Sequence, residues 1–228
     1  MRCLLMGGQA CVWYGAAEFS RDLDLVLLLD EGNLERLRGA LRELDAERVA
    51  VPEFAAEWLE RGHAVHFRCR REDVAGLRID VMSRMRGVDS FEELWKRRTT
   101  LEEGGEVVDL LSLPDLVRAK KTQRDKDWPM IRRLVERSYL SAVDAGAAAV
   151  RFWLAELRSA ELLVEAVGRF PEEAAGSSRA AVAAARQGDI AGVEAALESE
   201  QRAEREADRR YWAPLVQELE RLRRGRKH

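Results

Sequence analysis

The sequence predicts an α/β (α+β) fold, a mixed sheet flanked by helices, followed by an α-helical C-terminal region. Three observations carry that expectation. Residues 4–29, LLMGGQACVWYGAAEFSRDLDLVLLL, place a glycine turn and a helix between two apolar runs. Short strand-like runs then alternate with amphipathic helical stretches as far as Leu111. Past about Ser138 the composition turns to Ala, Glu, Arg and Leu with little strand character. Two domains are expected on these grounds, a core over 1–137 and a helical domain over 138–228.

Residues 4–6 are a short apolar run that stops at Gly7-Gly8, and 9–14 carry good helix formers, so the local order is strand, tight turn, helix. A polar link through Glu18, Phe19 and Ser20 leads to Asp22-Leu23-Asp24 and the run 25–29. Apolar residues at consecutive positions there predict a strand covered on both faces. Residues 30–33 form a turn and helix cap, and Leu34, Leu37, Leu41 and Leu44 recur at helical spacing. Residues 52–62 predict a short helix with Phe54 and Trp58 on one face and Gly62 as its stop. Residues 63–68 alternate as a strand, Val65 and Phe67 against His66 and Arg68. In the next strand, 77–82, Ile79 and Val81 face one layer and Arg78, Asp80 and Met82 the other. Residues 90–98 are helical with a capping box of Ser90 and Glu93, Gly104-Gly105 is a turn, and 106–111 a strand. Pro114 then opens a helix with Asp115 in its first turn.

In the C-terminal region Val150, Trp153, Leu157, Val164 and Val167 form one helical stripe, and Trp212, Leu215, Leu219 and Leu222 another. Phe170-Pro171 and Gly188 divide the helices. Such stripes are core packing by default; the alternative is a surface for a protein partner or for a second copy of the chain. Residues 221–227 are a basic tail.

The chemistry is expected where the second strand begins. Side chains alternate along a strand, so Asp22 and Asp24 point the same way with Cα atoms about 6.5 Å apart. Their face continues as Val26 and Leu28, which puts the carboxylates where a buried strand emerges. Two like charges held close there repel and are poorly solvated, a cost that a bound divalent cation removes. A solvated strand end is the plain alternative. Asp80 is an acid in mid-strand, unfavourable unless partnered or functional. An ion pair with Arg78 or Arg84 accounts for it, and so does service as a third carboxylate. The stretch 112–134 is locally basic, with Arg118, Lys120, Lys121, Arg124 and Lys126 diluted by Asp125. That is either a solvated helix face or a grip on phosphate.

Composition sets the outer limits. A net charge of -3 excludes a globally basic nucleic-acid binder, while 35% charged residues leave room for local patches. Cys3, Cys11 and Cys69 are odd in number and form no zinc pattern with the three histidines, so they are expected reduced and buried in a cytoplasmic protein. Arg2 and the apolar run after it suggest a leader, but Gly7-Gly8-Gln9 breaks the run too early for a signal peptide, and it is too short to span a membrane. No membrane partner is expected.

Gly7-Gly8 followed by Ser20 and then Asp22-Leu23-Asp24 resembles the signature of the polymerase-beta-type nucleotidyltransferase superfamily, in which a G-G or G-S turn precedes a D-x-D on the next strand. A second segment resembles its abortive-infection, AbiEii-like branch, where a helix with D-L-I-x-x-K is followed by R-x-K-D. The matching residues are Asp115-Leu116-Val117, Lys120 and Arg124-Asp125-Lys126-Asp127. The resemblance implies a nucleotidyltransferase core that moves a nucleoside monophosphate from a nucleoside triphosphate (NTP) to an acceptor hydroxyl, with two magnesium ions (Mg2+). It implies that Asp22, Asp24 and Asp80 hold the metals and that Asp80 draws the proton from the acceptor. Gly7 and Gly8 amides, Ser20 and the basic segment would hold the triphosphate, Lys120 first, with Lys121, Arg124 and Lys126 beside it. Glu18 and Met130 depart from the family pattern, standing where it has an arginine and an aspartate. The acceptor stays open between the end of a tRNA, as for a toxin-like enzyme of a toxin–antitoxin pair, an antibiotic or other small molecule, and a protein hydroxyl. A non-catalytic nucleotide-binding antitoxin or regulatory module is the alternative from a different class.

Overall fold

The computed structural model of the chain describes residues 1–225, so Arg226 and Lys227 of the expected basic tail lie outside the described residues. Two compact units are present, one made of Met1–Ala119 with the stretch from Arg210 onward, the other of Lys120–Arg209. The chain leaves the first unit ahead of the division expected at 137, because residues after Ala119 find their partners further along: Lys121 pairs with Glu156, and the Gln123 N–H with Asp208.

The first unit runs β1 (Cys3–Met6), α1 (Gly7–Trp13), β2 (Asp22–Leu27), α2 (Glu31–Glu43), β3 (Ala46–Arg48), α3 (Ala56–Arg61), β4 (Val65–Cys69), β5 (Arg78–Met82), α4 (Phe91–Lys96), β6 (Thr99–Glu103), β7 (Glu106–Leu110) and α5 (Leu113–Ala119). Its seven strands form one mixed sheet in the order β3-β4-β5-β2-β1-β7-β6. The pairs β2–β5 and β1–β7 are parallel and the rest antiparallel. β2 lies in the interior of the sheet, and its Leu25, Val26 and Leu27 are buried, as a consecutive apolar run requires. The strand stops at Leu27, short of the run 25–29, because Asn33 captures the Leu28 carbonyl. α2 presses Leu34, Leu37 and Leu41 into the core, and its N-cap Asp30 accepts from the Asn33 N–H at 2.8 Å.

Two strands, β3 and β6, stand where the sequence predicts none. AER and TTLEE have no apolar face, and they are strands because a partner strand supplies their hydrogen bonds. β6 pairs with β7 across Gly104 and Gly105, whose φ values of 61° and 87° suit a two-residue hairpin turn. At α4 the capping box does not form, since Ser90 makes no side-chain cap bond. Cys11 and Cys69 are buried, Cys3 is half-buried, and none of the three is in a disulfide.

The second unit is helical: α6 (Asp127–Leu140), α7 (Ala147–Glu156), α8 (Ala160–Arg169), α9 (Pro171–Ala175), α10 (Ala180–Ala185) and the first part of α11 (Ile190–Gly225), which continues into the first unit from Arg210. Ile131, Leu134, Tyr139, Val150, Trp153, Leu157 and Leu163 are its buried core, with Tyr139 edge-on to Trp153 at 5.3 Å. The stripe expected through Val164 is split between α7 and α8, so Leu163 faces the core and Val164 is half-buried. Pro171 opens α9, and Gly188, at φ 68°, separates α10 from α11. Among the described residues no helix is long and apolar enough to cross a membrane.

Candidate functional site

Strand register brings the site's residues together. In the parallel pairing of β2 with β5, Asp22 lies opposite Arg78 and Asp24 opposite Asp80. In the antiparallel pairing of β4 with β5, His66 lies opposite Asp80 and Arg68 opposite Arg78. Paired residues share a face, so the three acids sit beside a histidine and two arginines, on strands about 4.8 Å apart.

The Asp80 carboxylate is engaged on both oxygens. His66 Nδ1 is 2.8 Å from Oδ1, and Arg78 Nη2 is 3.1 Å from Oδ2. Burial pushes the Asp80 carboxyl up, but the His66 hydrogen bond and the charges of His66 and Arg78 outweigh it, so the group lies below the usual carboxylate range. The ion pair expected with Arg78 or Arg84 is formed with Arg78. The same guanidinium reaches Asp22, Nη1 to Oδ2 at 3.8 Å.

The glycine turn is fitted to the acids. Gly7 has φ +64°, and a methyl group on it would fall on the Asp24 carboxylate; one on Gly8 would fall on the Ser20 hydroxyl. Both positions need glycine because Asp24 and Ser20 occupy that space. Ser20 is fixed in turn, its Oγ donating to the Asp22 carbonyl at 3.3 Å and its own carbonyl accepting from Gln9 Nε2 at 2.9 Å.

This arrangement can hold a hard cation beside the turn, against which the Asp24 carboxylate and the Ser20 hydroxyl are seated. Magnesium is commonly held by one or two carboxylates completed by phosphate oxygens and water, and Asp22 with Asp24 fits that donor set in kind and in face. Asp80 is occupied by His66 and Arg78. Among the described residues no group of three or more His, Cys, Asp or Glu is arranged to hold a metal ion.

Arg118 stays in the first unit, 3.8 Å from Asp115; from Lys120 onward the basic segment belongs to the second unit, where Lys120, Lys121 and Arg124 face acids of that unit. Lys120 Nζ is 3.6 Å from Asp127 Oδ1, and Arg124 Nε is 2.8 Å from Asp127 Oδ2. Lys121 Nζ is 2.7 Å from Glu156 Oε1 and 3.9 Å from Glu204 Oε1. Lys126 is exposed just before α6. Asp127 orders Arg124 and also accepts from the Thr122 hydroxyl.

His66 is the site residue that sequence reasoning missed. The alternation of 63–68 placed it opposite Val65 and Phe67, but only the β4–β5 register shows that its face is that of Asp80.

No family model matches the chain, and no curated protein matches it. Among solved structures it is similar to an antigenic nucleotidyltransferase-like protein from Paracoccidioides brasiliensis, with 18% identity over 75% of this chain and 83% of that one and a TM-score of 0.39. A likeness of that size leaves function to be argued from the residues themselves.

Proposed function

We propose that the chain is a metal-dependent nucleotidyltransferase that moves a nucleoside monophosphate from an NTP to an acceptor hydroxyl, the new phosphoester forming as the α–β phosphoanhydride breaks and pyrophosphate leaves. One observation carries this reading: Asp22 and Asp24 share a face at the exposed end of a buried strand, with the Asp24 carboxylate seated against a turn where only glycine leaves it space. Asp22 and Asp24 would hold Mg2+, which supplies charge neutralisation on the triphosphate when bound. The Gly7-Gly8 turn seats the Asp24 carboxylate and the Ser20 hydroxyl against its backbone, which puts Ser20 at the rim of the proposed phosphate site. Asp80, ionised and paired in register with Asp24, draws the proton from the acceptor hydroxyl. Within this class the finer reading is a toxin-like enzyme acting on tRNA, supported by the AbiEii-like motif; an antibiotic or other small molecule is the competing acceptor.

A second reading, a nucleotide-binding module without catalysis, is favoured by the engagement of Asp80 with His66 and Arg78. The deciding experiment incubates the protein with Mg2+, each labelled NTP, and tRNA, small-molecule or protein pools in parallel. Label is expected in one pool and absent with Asp22→Asn or Asp24→Asn, both folded by circular dichroism. Transfer retained in either variant rules the site out. Nucleotide and Mg2+ raising Tm together without transfer points to the binding module.

A further inference from the structure

The acids on this face are balanced by the protein's own cation. Arg78 and Asp80 are two residues apart on β5, hence on one face, and Arg78 lies opposite Asp22 in the register with β2. The guanidinium therefore bridges two strands' acids, with Nη2 at 3.1 and 3.4 Å from the Asp80 oxygens and Nη1 at 3.8 Å from Asp22 Oδ2. The Arg78 and Asp22 side chains are each 41% exposed, against 13% for Asp80. This is a long, half-solvated arm laid across carboxylates.

The half-exposed pair of Arg78 with Asp22 adds little to stability, and β2 and β5 are already paired from Asp22↔Arg78 to Val26↔Met82. Its effect on a cation is larger. A divalent ion settling on Asp22 competes with the guanidinium for the same oxygen and is repelled by it at close range. The guanidinium fork also matches phosphate, which it grips with two parallel hydrogen bonds.

We infer that Arg78 is the resident counter-cation of the site, a positioning residue that weakens metal binding to the empty carboxylates and transfers to the triphosphate when nucleotide arrives. Metal and nucleotide are thereby coupled, each tightening the other by the same factor. The inference rests on the proposed nucleotidyltransferase reading and adds a control on the order in which its ligands bind.

The test measures Mn2+ binding by electron paramagnetic resonance on the full chain at fixed pH, with and without a non-hydrolysable NTP analogue. Wild type is compared with Arg78→Gln, Arg78→Lys and Asp24→Asn. Without nucleotide, Arg78→Gln is expected to bind Mn2+ on the order of tenfold more tightly than wild type. Arg78→Lys stays close to wild type, and the gain in Mn2+ affinity on adding the analogue shrinks in Arg78→Gln. Unchanged or weaker Mn2+ binding in Arg78→Gln, with Asp24-dependent binding intact in wild type, overturns the inference and leaves the metal reading standing. Absence of any Asp24-dependent Mn2+ binding, analogue included, overturns both. Should Arg78→Gln not fold, the Arg78 Nε–Hε resonance of wild type decides: it is expected to shift when Mg2+ and analogue bind together, and an unmoved resonance in that complex overturns the inference.

Discussion

Asn33 is fully buried and uses both ends of its amide. Its Oδ1 accepts from the Arg2 N–H at 2.7 Å, and its Nδ2 donates to the carbonyls of Arg2 and Leu28 at 2.8 and 2.9 Å. Asn33→Leu keeps the branching but leaves the Arg2 N–H and the Leu28 carbonyl unmatched, so a loss of about 2–4 kcal/mol is expected in denaturant unfolding. Gly7→Ala meets positive φ and the Asp24 carboxylate together. A loss of about 1–3 kcal/mol is expected, along with weakened Mn2+ binding as Asp24 is displaced. Asp80 gives a pH signature. Its folded-state pKa is depressed, so its contribution is in place above the unfolded value of about 3.9 and drains as pH falls through the lower folded value. Stability measured from neutral pH into the acid range should show that arm in wild type and lack it in Asp80→Asn.

At the scale of elements, α2 offers a direct test. Asp30→Ala removes the only acceptor the side chain offers its first turn and should cost about 1 kcal/mol by thermal or chemical melting. α2 was also legible before any coordinates, because its leucines recur at one period and its cap precedes them. The same holds for β2, whose acids and buried leucines are neighbours in the chain. β3 and β6 were hidden, since nothing in AER or TTLEE separates a strand from a loop until a partner lies beside it. The site divides along the same line. Asp22, Asp24, the glycine turn and the Arg78–Asp80 pair fall within short stretches and can be read there, whereas the approach of His66 to Asp80 and of Arg78 to Asp22 depends on register between strands distant in sequence. Ser90 with Glu93 shows the converse case, a local pattern that promised a cap the structure does not make.

At the scale of the molecule, the first unit is discontinuous: it is left after Ala119 and rejoined at Arg210. The returning part of α11 matters to it. Glu218 accepts from Arg61 and meets His63 Nε2 at 2.7 Å, and His63 is only 1% exposed, with an Nδ1 that finds no partner among the described residues. Tyr211, Trp212, Leu215, Leu219 and Leu222 on the same stretch are half-buried. Ending the chain after Arg209 is therefore expected to lower Tm by about 5–10 °C, a change read by calorimetry. The arrangement also fixes a sequence of events during synthesis. A chain emerging from the ribosome at roughly 5–20 residues per second exposes the sheet strands early, then all of Lys120–Arg209, and only afterwards the stretch carrying Glu218. The helical unit is the first to have every one of its residues available, while His63 waits for its acceptor, so the carboxylate-bearing unit matures last although its strands are translated first.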